Sequence, residues 1–156
     1  MAEHRYLATC SWRGSTAGGY DAYDRAHDAT VPPVEATVPL SSDPAFRGDP
    51  SRLNPEQLLV LAAASCQLLS FLAVAARARV DVVAYDDTAE GVMPTSNRPM
   101  WITEIVLRPH VTVNGDVDEA RVRHLCDVAH RECFVASSLR TEVRVEPEIT
   151  FGAAAT

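Results

Sequence analysis

Apolar and polar residues alternate over residues 6–12, where Tyr6, Ala8, Cys10 and Trp12 fall at the spacing of a half-buried strand. The glycine-rich residues 14–19 read as a turn. Residues 20–27 and 34–40 supply two more short strands. Pro32-Pro33 and Pro39 confine them to edges or ends, because proline has no N–H for a ladder. An N-terminal antiparallel meander is expected, with Cys10 in its core.

Residues 41–53 are rich in Ser, Asp, Pro and Gly, a loop composition. The pattern then changes to a helical one: Asn54 can cap, Pro55 suits a first helical position, and the helix runs to about Arg79. Leu58, Leu59, Leu61, Ala62, Leu68, Leu69, Phe71, Leu72 and Val74 make it apolar around most of its circumference, which predicts a buried central helix. Ser65, Cys66, Gln67 and Ser70 interrupt the apolar run, leaving it short of the ~20 residues a membrane span needs.

Strand alternation returns over residues 80–92 and 100–113, joined by a turn at 94–99 as a hairpin. Residues 118–131 form a charged amphipathic helix, on whose inner face Cys126 is expected, and 142–151 a final strand. Strands, helix, strands, helix and strand in this order do not alternate as a parallel α/β protein would, so the fold class is α+β.

Composition narrows the possibilities. The 156 residues are 47% hydrophobic, enough for a single domain spanning the chain with its own core. A formal charge of -7 repels a phosphate backbone and anionic lipid, so nucleic acid and membrane surfaces are poor partners. There is no lysine, so Schiff-base chemistry is excluded and every permanent cation is an arginine. The N-terminus lacks the apolar region of a secretory signal, and a cytoplasmic location is expected. In a reducing compartment the four cysteines, Cys10, Cys66, Cys126 and Cys133, call for metal binding, catalysis or burial rather than lasting bridges.

Each of those readings has a candidate. His124, Cys126, His130 and Cys133 lie at helical spacing, though no C-x-x-C or H-x-x-x-H pair exists for zinc. Neither Ser65 nor Ser70 lies in a Gly-x-Ser-x-Gly elbow. Cys66 among Ala and Leu reads as a small core residue or as a nucleophile. If it is a nucleophile it needs help. A free thiol has a pKa near ~8.5, burial raises it, and the field of the helix start fades well before Cys66, so a side-chain cation is required.

Asn54-Pro55-Glu56-Gln57-Leu58-Leu59 followed by an Ala-rich segment ending in Ser65-Cys66, and later Ala129-His130-Arg131-Glu132-Cys133, resemble the two cysteine motifs of the OsmC/Ohr peroxidases. The resemblance implies an OsmC-like fold of antiparallel sheets packed on a long buried helix, in an intertwined homodimer. It implies a thiol peroxidase acting on organic hydroperoxides above hydrogen peroxide, without a metal or other cofactor. Cys66 would be peroxidatic and Cys133 resolving, with an external thiol such as a lipoylated protein as reductant.

Glu56 and Arg25 correspond to the glutamate and arginine that organise the family's site, and Arg47 is the rival arginine. Glu56 would hold the guanidinium by a bidentate pair. About 15 Å of axial rise separates it from Cys66 within one helix, so an arginine must bridge them or a second subunit must supply Glu56. Phe71, Met93, Met100 and Trp101 are candidates to line a pocket for the peroxide's tail. Phe134 departs from the pattern, since many members carry proline after the resolving cysteine. The alternative is a ligand-binding or structural member of the same fold.

Overall fold

The computed structural model describes residues 2–152 as parts of two compact units, Met1–Leu58 and Leu59–Thr156. The first unit carries a three-stranded antiparallel sheet of β1 (Thr9–Ser11), β2 (His27–Thr30) and β3 (Thr37–Leu40), with β2 central. Pro39 lies in edge strand β3, where its missing N–H costs no ladder bond.

Two expectations fail here. No strand forms over residues 20–26, which run through turns that lead into β2. β1 is three residues long and exposed throughout, so Cys10 is a surface residue rather than core. The alternation of residues 6–12 was the only signal, and too few strands pair here to bury that face.

The loop of residues 41–53 is tied by local bonds. Asp43 Oδ1 accepts from the Ala45 N–H at 2.7 Å, and the buried Ser41 Oγ accepts from the Asp49 N–H at 3.0 Å. Gly48 is required because a Cβ there would sit 1.5 Å from the Ser42 carbonyl oxygen. The loop delivers the chain to α1 (Pro55–Arg77) through a reciprocal cap. Asn54 Oδ1 accepts from the Gln57 N–H at 2.8 Å, and Gln57 Oε1 accepts from the Asn54 N–H at 3.0 Å.

α1 ends in a Schellman arrangement. Arg79 takes the left-handed conformation at φ 59, its N–H reaches the Ala76 carbonyl at 3.1 Å, and the Val80 N–H reaches Ala75 at 2.9 Å. In the second unit α1 packs along a sheet built on β5 (Glu104–Asn114), the chain's most buried strand. β4 (Asp81–Val92) pairs antiparallel along one side of β5, with a bulge between Val82 and Ala84. The bulge turns Val83 outward and leaves Tyr85, Asp87 and Ala89 facing in.

Along its other side β5 pairs in parallel with two short strands in succession, β6 (Glu142–Val145) and β7 (Glu148–Phe151). The single final strand is thus split at Glu146-Pro147, and the sheet is mixed rather than antiparallel. α2 (Glu119–Glu132), capped by Asp118, packs Val122, Leu125, Cys126 and Ala129 against Phe71, Val74 and Ala75 of α1 and Val111 and Val113 of β5. Ala63 of α1 meets Ile102, Ile105 and Leu107 in a second cluster.

α1 is only partly enclosed. Its inner face is buried, but Leu61, Leu69 and Leu72 on the opposite side are 58%, 64% and 40% exposed. At 23 residues it is also long and apolar enough to cross a membrane, so rejecting a span on length does not hold. Its inner contacts are those of a core helix: Gln67, fully buried, donates its amide to the Cys126 carbonyl at 3.3 Å.

Candidate active site

Cys66 and Cys133, 67 positions apart, meet in the second unit. Cys66 lies on α1 and is half-buried, whereas Cys133 is buried at the junction where α2 ends and α3 (Phe134–Ser137) begins. Cys133 has an extended backbone, φ -72 and ψ 112, which breaks the helix between α2 and α3. The short α3 had no signal in the hydrophobic pattern.

The influences that lower the Cys66 thiol come from the main-chain N–H groups of Val135 and Phe134, the Cys133 thiol, and the Ser70 hydroxyl one turn further along α1. Burial in itself pushes this thiol up, but the donors together outweigh it, and the net shift is downward. Cys133 moves the other way. Burial pushes it up, as does the neighbouring Cys66 sulfur, while the Ala136 and Val135 amides only partly oppose. The two neighbouring thiols are thus shifted in opposite directions, Cys66 down and Cys133 up.

The donors to Cys66 in this unit are amides and hydroxyl or thiol groups, not a guanidinium. Within residues 59–152 the groups that lower this thiol are neutral ones. Ser70 was within reach of sequence reasoning, since it stands four residues after Cys66 on one helix face. The amides carry no side-chain signature.

Behind Cys133 lies a buried polar group of residues. Tyr85 is pushed well up, first by burial, then by Asp87, Cys126 and Cys133. Asp87 is raised by burial, against the Arg108 amide that donates to Oδ1 at 2.8 Å and the Arg108 charge. The Tyr85 hydroxyl and Asp87 Oδ2 are buried without a hydrogen-bond partner. Cys126 is pushed up to about 12, mainly by burial. Among the described residues no three His, Cys, Asp or Glu side chains gather so as to hold a metal ion.

The remaining candidates are placed differently. In the first unit Arg25 donates from Nη1 to the Tyr23 carbonyl at 2.5 Å and from Nη2 to the Tyr20 carbonyl at 2.6 Å. Its guanidinium carbon lies 4.6 Å and 4.0 Å from the centroids of the Tyr20 and Tyr23 rings. Arg25 lines a cavity of about 330 Å³ together with Trp12, Thr16, Tyr23, His27 and Ser42.

Glu56 has no ion-pair partner among the described residues, so the expected bidentate pair with Arg25 is not formed. Arg47 instead pairs with Asp21 at 2.8 Å. Trp101 is covered by Arg140, whose guanidinium lies 4.2 Å from the ring centroid. Phe71, expected to line a substrate pocket, is fully enclosed in the core with its ring 5.7 Å from that of Tyr85.

The second unit is a mixed α+β fold in which a long helix and a helix junction bring Cys66 and Cys133 near one another. This chain belongs to the OsmC-like protein family, whose model matches residues 48–148. A curated relative, the uncharacterized protein YmaD of Bacillus subtilis, is 22% identical over 151 residues, 95% of each chain.

An OsmC-like protein of unknown function from Vibrio cholerae superposes with a TM-score of 0.83 at 27% identity, over 94% of this chain and 100% of the other. An organic hydroperoxide resistance protein OsmC from Legionella pneumophila gives a TM-score of 0.68 at 17% identity, over 96% and 99%. The organic hydroperoxide resistance protein OhrB of Bacillus subtilis gives 0.62 at 18%, over 94% and 98%. At these last identities the likeness is one of fold.

Proposed function

We propose that this protein is a thiol peroxidase that reduces organic hydroperoxides, with Cys66 as nucleophile and Cys133 as resolving thiol. The observation that carries this reading is that Cys66 and Cys133, 67 positions apart in the chain, are neighbours in the fold, with Cys66 shifted down and Cys133 up. It accords with the names of two structural relatives, which refer to organic hydroperoxide resistance.

In the first step the Cys66 thiolate attacks the distal peroxide oxygen. An S–O bond forms as the O–O bond breaks, leaving a Cys66 sulfenic acid and an alkoxide that takes a proton from solvent to become the alcohol. In the second, the Cys133 sulfur displaces the sulfenic hydroxyl, which leaves as water with the Cys133 proton, and the Cys66–Cys133 disulfide forms. An external dithiol, such as that of a lipoylated protein, reduces the bridge and is itself oxidised. A reducing, cytoplasmic compartment belongs to the same proposal.

The partner proposed for the uncovered face of α1 is a second copy of this chain. Leu61, Leu69 and Leu72 form an apolar seam at helical spacing, which an antiparallel copy of the same helix would bury. The roles that the family resemblance implies for Arg25 and Glu56 stay part of the proposal, although the contacts of those two side chains do not carry them.

Peroxide consumption by reduced protein with excess dithiol tests the reading. Cys66→Ser is expected to fall to the uncatalysed rate. Cys133→Ser is expected to turn over once and then stall or inactivate. Equal rates for wild type and Cys66→Ser would remove the enzyme reading in favour of a ligand-binding or structural member of the fold.

A further inference from the structure

The buried face of α1 is made by Ala63, Gln67, Phe71, Val74 and Ala75, at the three- and four-residue spacing of a helix stripe. Four of these are apolar, and the period calls for an apolar residue between Ala63 and Phe71 as well. Gln67 stands there instead, 1% exposed, and it is the only polar residue among the buried ones of the second unit's described residues. The layer that α1 forms with α2 is otherwise built of Phe71, Val74, Ala75, Val122, Leu125 and Ala129 with the Cys126 thiol.

Gln67 makes one polar contact in that layer. Its Nε2 donates to the main-chain carbonyl of Cys126 at 3.3 Å, across 59 positions of sequence. A carbonyl only accepts, so the amide nitrogen must face it, and Oε1 is left buried without a donor among the described residues. An unpaired buried acceptor offsets what a single hydrogen bond contributes, so the glutamine adds little net stability. What the bond adds is position. Apolar side chains let one helix shift along another at small cost, whereas a directed bond to one carbonyl selects a single register.

Register matters here because of what adjoins each end of the bond. Gln67 directly follows Cys66 on α1, and Cys126 precedes Cys133, the C-cap residue of α2, by seven positions. Seven residues are close to two helical turns, so Cys126 and Cys133 lie along one side of α2. A slip of α2 by one turn against α1 would carry Cys133 about 5.4 Å past Cys66. A disulfide does not tolerate such a shift, since its Cβ atoms must come within about 4 Å of each other.

We propose that Gln67 is a positioning residue, whose amide holds α2 in the register on α1 that sets Cys133 against Cys66 and so favours the bridge between them. The inference rests on the reading of these two cysteines as a pair that forms a disulfide, but not on peroxide as the oxidant. Glutathione disulfide serves equally: the two protein thiols give up two electrons and two protons, the bridge forms, and the reagent is reduced to two glutathione thiols.

The test is the equilibrium constant of that exchange. Full-length protein is brought to equilibrium in a series of glutathione redox buffers without peroxide, and the Cys66–Cys133 bridge is read by alkylation and peptide mass. Gln67→Met keeps the length of the side chain and removes both the donor and the unpaired acceptor, and Gln67→Leu does the same with a different shape. Both variants are expected to lower the constant about fivefold, the worth of one hydrogen bond, while the reduced proteins unfold in urea no earlier than wild type. A loss of global stability alone leaves the constant unchanged, because the folded form still predominates without urea. Equal constants in wild type and both variants, at whatever stability, would overturn the assignment.

A second measurement uses the unaltered chain. The side-chain amide protons of Gln67 are expected to exchange slowly with solvent in the reduced and the bridged protein alike, and rapid exchange in either form would also overturn the proposal. The outcomes separate the two readings of the site. A protein that bridges in these buffers but consumes no peroxide would remove the peroxidase reading and leave the role of Gln67 standing, whereas a wild type that forms no Cys66–Cys133 bridge would overturn both.

Discussion

At the scale of single residues, the choice of Cys66 over the other three cysteines rested on its motif, and what surrounds its sulfur was hidden. From sequence, a mid-helix thiol needed a cation; within its own unit, main-chain N–H groups and the hydroxyl of Ser70 also act to lower it. Amides belong to every residue and leave no mark on composition or spacing, so no reading of side chains could have found them. Phe71 was misplaced for a different reason, since an aromatic on an apolar helix face fits a pocket wall and a core equally well.

Asp87 makes a separate prediction at this scale. Its raised pKa, caused by burial, means that the folded chain binds a proton there more readily than the unfolded chain. Folding therefore takes up a proton between the unfolded value, near ~3.9, and the higher folded one, and stability from this group falls as pH rises through that window. Asp87→Asn keeps an acceptor for the Arg108 amide and removes the charge. It should be more stable than wild type in urea at neutral pH, with the advantage shrinking as pH falls through the window. A less stable variant at neutral pH would contradict this origin of the shift.

At the scale of elements, the segments with strong periodicity were legible: α1, α2 and the β4–β5 hairpin stand close to their expected bounds. The cap at Asn54 and the apolar period of 58–74 act locally, which is why sequence alone finds them. Less legible was whatever depends on pairing partners. The run of residues 142–151 has strand propensity throughout, yet Pro147 interrupts the ladder and divides it into β6 and β7, which lie parallel to a strand some forty residues earlier.

α1 shows the limit in another way, since its apolar circumference implied burial while a single chain buries only part of it. If a second copy covers the rest, wild type should sediment as a dimer. Leu69→Arg, at the most exposed leucine of that face, should shift it to monomer, because a guanidinium cannot be buried unpaired there. A monomeric wild type would remove the dimer from the account.

At the scale of the whole molecule, family membership was readable because two separated motifs, around residues 54–66 and 129–133, occur together with the right order of elements. Their meeting is long-range and no local pattern encodes it; the sheet and the two packed helices bring it about. The account's central claim is that this meeting is chemical, so that oxidation of Cys66 is completed by Cys133.

Disulfide mapping by mass spectrometry after one equivalent of an organic hydroperoxide tests that most directly. The account predicts a single Cys66–Cys133 bridge, with Cys10 and Cys126 still free. Cys66 left reduced, Cys66 carried on to sulfinic acid without a bridge, or a bridge that uses Cys10 or Cys126 would contradict it.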